Sequence, residues 1–274
     1  MLSAICCWIT RRLPVKPSRP ARHRNTLKFQ PSLETLESRL VPTVMYQGGG
    51  VLPHVEVQAL YLGSAWNSNS ASVQQVRYLE GYLNSIVNSS YMDMLTNAGY
   101  GVYRGSFTPG KIDLTSFNSA YYLTDDMIRN YLEADIHNGA LQAPDSNRLY
   151  VVFVEPGVAV MDGSGATSKA KFLGFHNAFA GTDAYGNAAT IHYAMVDYPG
   201  GVVGNTGIPW LAPLNELTQV ASHELAEAVT DPNPSSGWDD HQLEFGEVGD
   251  IANGRTVWLN GYAVQRIAIR TTRR

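Results

Sequence analysis

The run LYVVFVEPG, from Leu149 to Gly157, constrains the fold of this 274-residue chain more than any other segment. Continuous apolar, β-branched sequence with no polar alternation is what a strand needs when both of its faces are covered, and the Pro-Gly pair ends it. The run predicts the centre of a sheet. Around it, VEVQALYL (55–62) alternates as a strand that opens the domain, and further strands are expected at 171–175, 190–198, 256–259 and 262–267. Apolar spacings of three and four predict helices over 72–88, 91–98, 124–138 and 214–230, with Thr124 as an N-cap ahead of Asp125 and Asp126. Strands and helices mix without a regular repeat. The expectation is one α/β or α+β domain with a mixed sheet, spanning 44–274, and the 44% hydrophobic content suffices to fill its core.

Charge divides the chain differently. Residues 1–43 carry eight Lys/Arg and two Glu, whereas 44–274 carry twelve Lys/Arg and twenty-two Asp/Glu. An acidic body repels nucleic-acid phosphate, so no nucleic-acid partner is expected. Both cysteines, Cys6 and Cys7, lie in the basic leader, which removes disulfides, thiol nucleophiles and thiolate metal sites from the body. No run approaches the roughly 18 to 20 apolar residues of a transmembrane helix. In the leader, Arg11 and Arg12 follow the apolar MLSAICCWIT instead of preceding it, a poor signal peptide. The segment SLETLESRLVPT (32–43) resembles a short targeting element near the N-termini of many planctomycete bacterial proteins. That resemblance implies a secreted or cell-envelope location; the plain alternative is an amphipathic turn with Leu33, Leu36 and Leu40 on one face.

The chemistry concentrates in PLNELTQVASHELAEAVTDP. At roughly 100° per residue Leu217, Ala221, Leu225 and Ala228 form an apolar face, while Glu216, His223 and Glu227 fall within about 40° of one another, with Asp231 and Glu224 close by. A His and a Glu four residues apart can grip one metal ion. A zinc hydrolase needs three protein ligands, an open position for water and a carboxylate base. His223 and Glu227 are candidate metal ligands, Glu247 or Asp250 in GEVGD completes the set, and Glu224 is the candidate catalytic base. The helix resembles the HExxH helix of zincin metalloproteases with Glu in place of the second His; the gluzincin branch of those enzymes implies a third ligand at the spacing of Glu247 and an orienting Asp at Asp250. One imidazole among oxygens selects zinc less strictly, so calcium or manganese are alternatives.

The wider pattern, SHELAEAVTDP, then GW, then GEVGD, resembles a recurrent family of secreted bacterial and fungal proteins, together with YLGSAWNS, GFHNAF and IHYAMVDY upstream. The order of elements is also similar to that of phosphate-induced, EXORDIUM-like plant cell-wall proteins, a similarity that implies no metal site. Residues 214–250 hold nine carboxylates and no Lys or Arg, a repulsive arrangement unless a cation sits among them. His176 and His192 are secondary candidates, each more often a hydrogen-bonded core or rim histidine than a ligand, and His241 reads as solvated. Asp231 could ligate or could cap the loop that follows it. Two functions stay open: an exported, peptidase-like metal-dependent hydrolase acting on a peptide or cell-surface substrate, or a non-catalytic extracellular binding module with a structural cation. A face that binds nothing would instead splay its carboxylates into solvent.

Overall fold

The computed structural model describes residues 44–118, 122–234, 236–243 and 245–269. The basic leader, with the segment 32–43 read as a targeting element, and Glu244 of the acidic segment lie outside the described residues. Five strands form the main sheet: β1 (Glu56–Leu62), β2 (Ser106–Asp113), β3 (Arg148–Val154), β4 (Gly174–Thr182) and β5 (Ala188–Val196). Their order is β2-β1-β3-β5-β4, with β4 alone antiparallel, so the sheet is mixed and β3 lies at its centre. All seven residues of β3 are buried, as a strand covered on both faces requires.

Two hydrophobic cores flank the sheet. Val57, Ala59, Tyr61, Leu149, Val151 and Phe153 point to one face and pack with α1 (Ser70–Ile86), α2 (Ser90–Asn97) and α4 (Pro213–Thr230). Leu60, Leu62, Tyr150, Val152 and Val154 alternate to the other face and pack with α3 (Asp125–His137). A hairpin, β6 (Thr256–Leu259) and β7 (Tyr262–Gln265), closes against α4. No helix among the described residues is long and apolar enough to cross a membrane.

Several elements depart from the expected pattern for identifiable reasons. The strand expected at 171–175 starts instead at Gly174 and runs to Thr182, as one arm of the antiparallel β4–β5 hairpin. Helix α1 runs through Gly81 as the helix expected over 72–88 does, since burial of Leu79, Tyr82 and Leu83 outweighs the glycine's propensity cost of about 1 kcal/mol. Strand β2 gives no sequence signal: Pro109 and Gly110 sit inside it, where its register against β1 shifts between Gln58 and Leu60.

Helix α4 departs most. It starts with Pro213 in its first turn and is not half-solvated: every residue from Glu216 to Thr230 is buried. Its apolar residues face the α1/α2 core, and its acidic residues are covered by β4 and by the segment before the β6–β7 hairpin. The solvent-splayed alternative for its carboxylates is therefore excluded.

Candidate metal centre

Three elements bring the site together. α4 supplies His223, Glu224 and Glu227 one turn apart; β4, the antiparallel edge strand, lies beside α4 and presents His176; the turn at 247–250 supplies Glu247 and Asp250. His223 Nε2 lies 3.0 Å from Glu227 Oε1 and 3.7 Å from Asp250 Oδ1. His176 Nδ1 lies 3.5 Å from Glu227 Oε2 and 3.7 Å from Glu224 Oε2, and its Nε2 is 3.5 Å from Glu247 Oε1. Two sets of ligand atoms each fall within 4.8 Å of one another: His223, Glu227 and Asp250, and His176, Glu224 and Glu227. Donor atoms about 2.1 Å from one ion stand roughly 3.0 to 3.5 Å apart at right-angled to tetrahedral geometry, and the separations from the two imidazoles, 3.0 to 3.7 Å, are close to those edges.

Two glycines make this density possible. A Cβ on Gly249 would stand 2.7 Å from Glu227 Oε1 and 2.8 Å from His223 Nδ1, and one on Gly174 would stand 2.9 Å from Glu224 Oε1. The backbone of the 247–250 turn can therefore lie directly on the two α4 side chains, and Asp250 N donates to Glu227 Oε1 at 3.1 Å. A cavity of about 10 Å³, room for a single water, is lined by His223 and Glu224 with Gly174, Gln219 and Gln265.

Hydrogen bonds fix both imidazoles. His176 Nε2 donates to the Asp231 carbonyl at 3.0 Å, which turns the Nδ1 lone pair toward Glu224 and Glu227; Nδ1 itself has no hydrogen-bond partner. Gln265 Nε2 donates to the Gly249 carbonyl at 2.8 Å and lies 2.7 Å from His223 Nδ1. The Gly249 carbonyl can only accept, so the Gln265 amide nitrogen faces it and His223 Nδ1 is the acceptor; the neutral ring's proton is then on Nε2, toward Glu227, and an ion bound at Nε2 would have to displace it.

The electrostatics are those of concentrated buried charge. His176 is fully buried, which disfavours its charged form, yet Glu247, Glu224 and Glu227 outweigh burial and hold its pKa well above the ordinary imidazole value. Burial raises Glu224. Burial also raises Glu247 and Asp250, each pushed further by neighbouring carboxylates. Glu227, between the two imidazoles, is held below its usual value by His223 and His176 despite its burial. Both oxygens of Glu247 are buried without a hydrogen-bond partner.

The structure thus brings His223, Glu227 and Asp250 together with Glu224 beside them. Glu247 is corrected: its carboxylate faces the Nε2 side of His176, and Asp250 is the acid next to His223. His176, only a secondary candidate in the sequence, stands at the centre of the cluster. The usable signal was the two-residue spacing of Gly174 and His176 on a strand, which puts both on one face, but only the pairing of β4 beside β5 shows that this face meets α4. Asp231 is a cap: its carboxylate accepts from Ser236 N, Ser236 Oγ and Gly237 N. Glu216, seven residues before His223, sits roughly 10 Å up the helix and acts on Asp197 instead. His192 is a rim histidine bonded to the Pro232 carbonyl at 3.4 Å, and His241 is half-exposed, 3.0 Å from Asp239. No protein family, curated protein or solved structure matches this chain.

Proposed function

We propose that the domain is a metal-dependent hydrolase, peptidase-like in its chemistry and exported, with His223, Glu227 and Asp250 holding a divalent ion and Glu224 acting as general base. The observation that carries this reading is that Glu227 Oε1 and Asp250 Oδ1 gather on His223 Nε2, at 3.0 and 3.7 Å, with Glu224 next to His223 on α4. An ion bound there supplies Lewis acidity and lowers the pKa of water. Glu224, whose own pKa is raised by burial, is the carboxylate beside that set suited to take a proton from water. Zinc suits the imidazole; calcium or manganese suit the oxygens. The export element SLETLESRLVPT supports a secreted or cell-envelope location, and a peptide or cell-surface substrate fits that location.

One observation favours the second reading, a non-catalytic extracellular module with a structural cation. Every α4 member of the cluster is buried, and the cavity at His223 admits a water but not a peptide.

Metal analysis of the purified full chain, paired with peptide hydrolysis, tests both. Wild type is expected to carry zinc or manganese, His223→Ala to lose the ion at His223, and Glu224→Gln to keep that ion while losing about 100-fold in hydrolysis rate. Equal metal content in wild type and His223→Ala sinks the site. Metal without any hydrolysis in wild type leaves the structural-cation reading.

A further inference from the structure

We propose that the cluster is a two-ion centre, in which Glu227 bridges a first ion on His223 and Asp250 to a second ion on His176 and Glu224. This rests on the reading of the His223 set as a metal site and extends it.

The two oxygens of Glu227 face different imidazoles: Oε1 lies 3.0 Å from His223 Nε2, and Oε2 lies 3.5 Å from His176 Nδ1. One carboxylate is therefore common to both ligand sets, each of which has its own imidazole and a second acid. A carboxylate held this way spans the roughly 3.5 to 4 Å between the ions of two-metal hydrolytic sites.

The His176 position is the better prepared of the two. Its Nε2–H is engaged by the Asp231 carbonyl, so the tautomer leaves a lone pair on Nδ1, the second-shell arrangement of metal-bound histidines. That Nδ1 is fully buried and has no hydrogen-bond partner. A proton on it is a poor substitute for an ion, because the 3.5 and 3.7 Å separations to Glu227 and Glu224 exceed the roughly 2.7 to 2.9 Å of a charge-assisted hydrogen bond. The same separations suit donors bound to one ion.

Charge points the same way. Glu224, Glu227, Glu247 and Asp250 are buried within this cluster, and residues 172–254 contain no Lys or Arg. Binding an ion requires its ligand acids ionised, and two divalent ions would balance four carboxylates. Occupation of the second position would engage Glu224 through Oε2 and leave Oε1 beside Gly174.

The test is calorimetric titration of the metal-stripped full chain with Zn²⁺. Two ions per wild-type chain are expected, with one in His176→Ala and one in His223→Ala, circular dichroism confirming that each variant is folded. One ion in wild type, kept by His176→Ala and lost by His223→Ala, overturns the second position and leaves the first. One ion lost in both variants makes it a single shared ion and overturns the bridge; no ion in wild type overturns both readings. A measurement that needs no variant is electron paramagnetic resonance of wild type loaded with Mn²⁺. A spin-coupled pair is expected, and only isolated-ion signals overturn the proposal.

Discussion

Treating the full chain with a chelator is expected to lower its thermal midpoint by about 12 °C if the proposed ion is bound. An ion present at about a thousand times its dissociation constant stabilises the native state by about 4 kcal/mol, because the unfolded chain does not hold the ligands together. For a domain of this size each kcal/mol moves the midpoint by roughly 2 to 4 °C. The ligands come from β4, α4 and the 247–250 turn, so an ion would tie together three elements separated by up to 74 positions in sequence, from His176 to Asp250. Scanning calorimetry with and without chelator, followed by restoration with Zn²⁺ or Mn²⁺, measures the shift. A midpoint that does not respond to chelation or to added metal would contradict the account.

The second large effect lies outside the metal ligands. Glu216→Gln is expected to stabilise the domain by roughly 3 kcal/mol at pH 8 and to change nothing at pH 4. Glu216 is 3% exposed in the first turn of α4, and burial raises its pKa from 4.5 to about 7 against the opposing hydrogen bond from the Ile208 amide. Between these values the native state keeps a proton that the unfolded chain has released, so stability falls as pH rises through the window. Below it both states are protonated and Glu216 contributes nothing; above it the full cost of a buried carboxylate is present. Asp197, also 3% exposed and with neither carboxylate oxygen hydrogen-bonded, is pushed up by its burial and then by Glu216. The amide relieves Asp197 as well. Urea unfolding of wild type and Glu216→Gln at the two pH values decides it: the same stability difference at both would show that Glu216 does not titrate across this range.

Local pattern made part of this protein legible. LYVVFV reads as a doubly covered strand because burial on both faces removes polar alternation, and it is the central strand. The helical spacing of α4 is equally plain, as is the grouping of His223, Glu224 and Glu227 upon it. Two things were hidden by the same cause. His176 belongs to the cluster because β4 turns back against β5 as an antiparallel edge strand beside α4, a long-range pairing that no local spacing encodes. Glu247 and Asp250 lie three residues apart on a tight turn, so they face different imidazoles; linear distance from Glu227 could not separate them. The polar face of α4 also looked like that of any amphipathic surface helix, and only the covering by β4 and the 247–250 turn distinguishes a buried acidic face from a solvated one.

X-ray absorption at the zinc edge of the zinc-loaded full chain tests the central claim most directly, namely that these imidazoles and carboxylates converge on a metal ion. The account predicts a shell of nitrogen and oxygen at about 2.0 to 2.1 Å, without sulfur, with imidazole scattering that disappears when His176 and His223 are both replaced by Ala. A shell lacking imidazole in wild type, or unchanged in the double variant, would contradict it.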